Sequence, residues 1–158
     1  SGKTLYGTTT GGGPSGNGTV FTLKTDGTGF TTLHGFSATH TNSSGSLTNS
    51  DGTTPYAELT LSDDTLYGTA SGGGSSGNGT IFSLSFRPQL TIAPSAGNFV
   101  LSWPSNYVGF DYAGYTLQAS PDLRASAWTN CASATVSGDN FVVTNPISSP
   151  QVFFRLAR

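Results

Sequence analysis

Several groups of residues in this chain have types that do chemistry elsewhere, and each also has a plainer reading. Ser1-Gly2-Lys3-Thr4 matches the tail of a phosphate-binding loop. That chemistry needs an upstream glycine and a helix N-terminus to aim amides at the anion, whereas Leu5-Tyr6 open a strand pattern. The glycine-rich segments 11–18 and 72–79 have the glycine density of dinucleotide-binding loops, but they feed Gly-Thr-Val-Phe and Gly-Thr-Ile-Phe and read as turns of a β repeat. Asp63-Asp64 and Asn49-Ser50-Asp51-Gly52 carry oxygens of the kind calcium takes, without the spaced acids of a high-affinity loop. Turns are their expected role, with a weak ion site as the alternative. His34, in a strand pattern, and His40, in a polar stretch, have no acid or cysteine at ligand spacing, so no metal and no cofactor is expected. Hydrolysis would require a nucleophile with base and orienter, or two carboxylates across a cleft. Serines abound, but no Gly-x-Ser-x-Gly elbow stands between a strand and a helix, and the chain is expected not to be an enzyme.

Other candidates are structural or modifiable. Cys131 lies among small residues in Trp128-Thr129-Asn130-Cys131-Ala132 and reads as a buried structural thiol, with an intermolecular bridge or a reactive group as alternatives. Trp103 and Trp128 read as core anchors, with a sugar-stacking platform as the alternative. Asn17-Gly18-Thr19, Asn42-Ser43-Ser44 and Asn78-Gly79-Thr80 fit the N-glycosylation pattern. The hydroxyl-rich segment 37–54 reads as a solvated surface loop, or as a carrier of O-linked sugar.

The elements that hold these residues follow from composition. Gly, Ser, Thr and Asn make up 77 of the 158 residues, and only 9% are charged; a typical soluble domain has about 25% charged residues. Such a chain is poor in helix formers. Six basic residues against a net charge of −2 exclude nucleic-acid binding by a basic patch. No apolar run approaches the roughly 18 residues that cross a membrane. Disorder is the other outcome for a polar, Gly-rich chain, but the Phe, Tyr and Trp residues fall in short alternating runs that argue for strands. Met is absent even at position 1, so the chain is expected to start internally, through processing or a span that begins late. Low charge, hydroxyl richness and no Met together point to an extracellular or cell-surface location.

The strongest pattern is internal. Thr4 to Leu23 recurs as Thr65 to Leu84, with 15 of 20 positions identical at a constant offset of 61. Leu5, Tyr6, Gly7, Val20 and Phe21 match Leu66, Tyr67, Gly68, Ile81 and Phe82. Within a unit, Leu5 to Thr8 and Thr19 to Leu23 read as strands, Val20 facing opposite to Phe21 and Leu23. An Asp26-Gly27 turn leads to a third strand, Phe30 to Phe36, and a fourth is expected over Ala57 to Leu61. Four antiparallel strands per repeat with glycine-rich connections is the cue for a propeller blade.

Leu-Tyr-Gly-Thr, a glycine-rich loop, Gly-Thr-Val-Phe, Asp-Gly-Thr-Gly-Phe and Leu-His-Gly-Phe resemble the GloVer-type tandem repeat of large exported bacterial proteins. The resemblance covers residues 4–86 and implies propeller-like packing; the 37–54 loop is longer than that family's usual connection. Beyond Arg87-Pro88 the composition shifts to Val, Phe, Trp and Arg. Runs at 90–92, 98–103, 112–119, 127–129, 140–144 and 151–156 read as strands of a small β-sandwich. Phe99-Val100-Leu101-Ser102-Trp103-Pro104, Tyr115-Thr116-Leu117-Gln118 and Phe153-Phe154-Arg155-Leu156 resemble the C-terminal fibronectin-III-like or immunoglobulin-like modules of exported Verrucomicrobia and Planctomycetes proteins. That resemblance implies a module that closes its chain.

The expected fold is therefore all-β: a repeat region over 1–86, about one and a half four-stranded propeller-like blades with copies starting at 4 and 65, then a sandwich over 87–158. Closure takes about four to eight blades, so the missing neighbours must come from elsewhere. The repeat-motif residues Leu5, Tyr6, Gly7, Val20, Phe21, Leu66, Tyr67, Gly68, Ile81 and Phe82 are the expected assembly surface. The expected partners are other copies of the chain, in a fibre or surface layer. The alternatives are a glycan-binding module using Tyr6, Tyr67 and Tyr107, or the C-terminal part of a larger propeller protein.

Overall fold

Wherever Thr, Val, Phe and Leu alternate between glycine turns, the backbone pairs into antiparallel ladders. The computed structural model describes residues 4–123, 128–147 and 151–158, and no helix occurs among them. Ser1-Gly2-Lys3 and Ala127, which take part in two of the patterns above, lie outside the described residues. The chain divides into two compact units, Ser1–Arg87 and Pro88–Arg158.

In the first unit, β1 (Thr4–Thr9), β2 (Thr19–Lys24) and β3 (Thr31–Gly35) form one sheet in chain order. Leu5 sits opposite Leu23, Gly7 opposite Phe21 and Thr8 opposite Val20, which fixes the two faces of the sheet. A second sheet contains β6 (Thr53–Pro55), β7 (Thr60–Ser62), β8 (Thr65–Gly72) and β9 (Thr80–Ser85). β6 and β7 lie along one edge of β8 and β9 along the other. The repeat is exact in register: Gly68 faces Phe82 as Gly7 faces Phe21. In both copies a parallel bridge closes the glycine loop, Gly12 to Asn17 and Gly73 to Asn78, and in each the Gly amide following the Asn donates at 3.0 Å to the first Gly of the bridge.

Two expectations about this unit change. The fourth strand does not form over 57–61: only Thr60 and Leu61 of that span are extended, at the start of β7, while a separate strand, β6, forms earlier, and both pair into the second sheet and not the first. Pro55 has no N–H for the ladder; beyond it the chain swings outward at Tyr56 and returns at Leu59, whose side chain enters the core. Nor is 37–54 simply a solvated loop. It contains the hairpin β4 (His40–Thr41) and β5 (Leu47–Thr48), and its second half carries the chain from one sheet to the other.

The two sheets of this unit pack face to face. Val20, Leu33 and Phe36 meet Ala70, Phe82, Leu84 and Leu59, with Phe36 edge-on to Phe82 at 5.2 Å between ring centroids. A glycine at 68 lets the Phe82 ring and Leu59 lie against the β8 backbone; a Cβ there would stand 2.8 Å from Leu59 and closer still to Phe82.

The second unit has two principal sheets. β10 (Thr91–Ser95), β11 (Asn98–Pro104), β16 (Thr135–Ser137) and β17 (Asn140–Pro146) are ordered β10-β11-β17-β16. β14 (Thr116–Ser120), β15 (Thr129–Asn130) and β18 (Phe153–Ala157) are ordered β15-β14-β18. A small hairpin, β12 (Asn106–Tyr107) and β13 (Phe110–Asp111), turns at Val108 and Gly109, both with positive φ. The strand expected over 112–119 starts only at Thr116, because Tyr112 and Tyr115 close a turn, Tyr115 N donating to Tyr112 O at 3.0 Å. Leu101, Trp103, Leu117 and Val143 are buried, as the alternation in these strands requires.

Candidate functional site

The repeat-motif residues separate by face, and the same position meets opposite surroundings in the two copies. Val20 is 0% exposed, but its counterpart Ile81 is 84% exposed. Leu66 is 1% exposed, but its counterpart Leu5 is 53% exposed. The reason is geometric. The face of the first sheet that carries Tyr6, Thr8, Val20 and Thr22 is covered by the face of the second sheet that carries Leu66, Gly68, Ala70, Phe82 and Leu84. This leaves two faces uncovered: Leu5, Gly7, Phe21 and Leu23 on the first sheet, and Tyr67, Thr69, Ile81 and Ser83 on the second. Phe21 lies over Gly7, where a Cβ would come within 2.6 Å of its ring. Phe30, itself exposed, stacks on Phe21 at 5.3 Å.

Tyr6 is half-buried, and burial pushes its phenol above the ordinary value. With Gly7, Thr8, Tyr56, Ala57, Glu58 and Leu59 it lines an open groove of about 400 Å³.

The closest approach to catalytic chemistry is a cluster that sequence spacing does not reveal. His34 Nε2 lies 2.9 Å from Asp51 Oδ2. The Ser37 amide donates to the same oxygen at 3.0 Å, and the Ser37 hydroxyl donates to Asp51 Oδ1. Desolvation raises the Asp51 carboxyl, but the Ser37 and His34 hydrogen bonds outweigh it and hold the group below its ordinary range. Serine, histidine and aspartate are all present, but aspartate is at the centre. The hydroxyl gives its hydrogen bond to the carboxylate instead of to the imidazole, so the serine–histidine contact of a hydrolytic triad is not made.

Asn49 is the partner of this cluster. Its Nδ2 donates to Ser37 O at 3.0 Å and Gly52 O at 2.8 Å, and its Oδ1 accepts from the amides of Gly52 at 2.8 Å and Gly74 at 3.0 Å. Asn17 Nδ2 donates to the same Ser37 carbonyl at 2.6 Å. The segment Asn49 to Gly52, weighed above as an ion site, is thus a knot that ties both glycine loops to the crossover. Asp63, at φ 51°, turns the β7–β8 hairpin beside buried Asp64. Among the described residues no three His, Cys, Asp or Glu side chains converge.

In the second unit Trp103 is buried and lies 5.6 Å from Phe141. Trp128 is capped on one face by the Arg155 guanidinium, 4.3 Å from the ring centroid. Cys131 is half-buried, and desolvation raises its thiol. It lines a cavity of about 370 Å³ with Trp103, Tyr115, Leu117 and Phe141. Tyr107 is exposed on the β12–β13 hairpin. Compared with protein-family models, curated proteins and solved structures, the chain matches none.

Proposed function

We propose that this chain is a non-catalytic, extracellular structural protein that completes its repeat sheets with neighbouring copies, as a component of a fibre or surface layer. The observation that carries this reading is the inverted burial of equivalent residues, Val20 against Ile81 and Leu66 against Leu5. Each repeat sheet is covered on one face and leaves apolar side chains on the other, Leu5 on the first and Tyr67 and Ile81 on the second. Apolar sheet surface left open in a chain with so few charges favours association. The resemblance to GloVer-type repeats and the face-on-face packing support blades of propeller type, and the paired sheets of the second unit support a β-sandwich. Low charge, hydroxyl richness and the absence of Met support an extracellular location. The aspartate-centred wiring of Ser37 and His34 supports a structural role over a hydrolytic one. Sedimentation velocity across a concentration series tests the reading: growth of larger species with concentration is expected, and a monomer throughout would refute it.

One observation favours a second reading, a glycan-binding module. Tyr6 and Tyr56 flank a groove with Glu58, an arrangement that stacks on and hydrogen-bonds to a sugar. Binding on a glycan array that is lost in Tyr56→Ala would support it.

A further inference from the structure

The packing inside the first unit is heterologous: one sheet presents its Val20 face and the next covers it with its Leu66 face. The same two kinds of face occur once more, uncovered and on opposite sheets. We infer that a second copy of this chain docks the Leu5, Phe21 and Phe30 face of its first sheet onto the Tyr67 and Ile81 face of the first copy's second sheet, so that the internal packing continues between chains. This rests on the assembly reading above and adds which surfaces meet and in what direction.

The repeat itself supplies the complementarity. Leu5, Phe21 and Leu23 occupy the positions of Leu66, Phe82 and Leu84; Phe82 and Leu84 already pack against such a face within the unit, and Leu66 shares their side of the sheet. Ile81 and Tyr67 occupy the positions of Val20 and Tyr6, which lie on the covered face. The acceptor sheet lacks counterparts of Leu33 and Phe36, because the repeat ends before its third strand. The donor face carries an extra ring in their place, Phe30, 62% exposed and stacked on Phe21. Two donor faces, or two acceptor faces, have no such precedent in the molecule. A donor and an acceptor on every copy give a contact that is not used up by pairing, so it continues into a ring or an open filament.

Two variants test the direction. Ile81→Glu places a charge on the acceptor face and Phe30→Glu places one on the donor face. Both positions are exposed in the single chain, so each variant should fold: Ile81→Glu should keep the melting curve of dilute wild type, and Phe30→Glu should melt cooperatively at a slightly lower temperature through loss of the ring contact with Phe21. Leu47→Glu, on the β4–β5 hairpin outside both faces, is the control. Sedimentation velocity should show concentration-dependent assembly for wild type and Leu47→Glu, a monomer for each of the other variants alone, and a heterodimer that grows no further in their equimolar mixture. Self-association of either variant alone, or a mixture that stays monomeric, would overturn this pairing while leaving assembly itself standing wherever the wild type associates. A wild type that is monomeric at every concentration would overturn both readings and make a further blade of a longer chain the occupant of the open face.

Discussion

Asp51 shows how much of this fold rests on side-chain hydrogen bonds where a charge-rich protein would use ion pairs. Its folded-state carboxyl titrates below the ordinary value of 3.8, so the unfolded chain binds that proton more readily. The stabilisation is therefore complete above the ordinary value and is lost as pH falls through the folded-state one. Urea melts of wild type between about pH 5 and pH 2 should lose stability on this acid side, and Asp51→Asn should flatten that limb; an unchanged slope would contradict the assignment. Asn49→Ala strands the Gly52 and Gly74 amides and should cost about 2 kcal/mol or more in the same assay. Cys131, with its thiol raised by burial, should react with a disulfide reagent far more slowly than a free cysteine does until the chain is unfolded. Little of this was legible in the sequence. His34, Ser37 and Asp51 are separated by intervals that signal nothing, and they meet only because the 37–54 segment folds back across the strand end. The turn role of Asp63 and the burial of Trp103 could be read, since both follow from local φ preference and strand alternation.

At the scale of the elements, facing was readable but coverage was not. Alternation places Val20 opposite Phe21 in any strand, and the 61-residue offset gives Ile81 the same facing. Whether a facing is buried depends on the neighbouring sheet, which no local pattern encodes. Val20→Ala should therefore destabilise the folded chain by about 1–3 kcal/mol through a core cavity, while Ile81→Ala should leave the monomer's denaturation midpoint unchanged. Equal effects at these two equivalent positions would mean that the sheets do not pack as described. Gly68→Ala forces a methyl against Phe82 and Leu59 and should cost about 1–3 kcal/mol, measurable by the same denaturation. The strand expected over 57–61 illustrates the opposite limit. Propensity suggested a strand over 57–61, but the outward swing after Pro55 and the entry of Leu59 into the core leave only Thr60 and Leu61 of it extended, at the start of β7, which pairs into the other sheet.

For the whole molecule, the all-β class followed from composition, turn residues and the repeat, and the structure is built of several small antiparallel sheets. Number of neighbours is the property a single chain cannot express, and the account depends on it. Two sheets packed through unlike faces leave one face of each kind open, and under the proposed assembly the chain is one segment of a longer stack. Electron microscopy of concentrated wild-type protein tests this most directly. Rings or filaments in which every copy points the same way along the contact are expected. Monodisperse single chains, or closed two-fold dimers that grow no further, would contradict it.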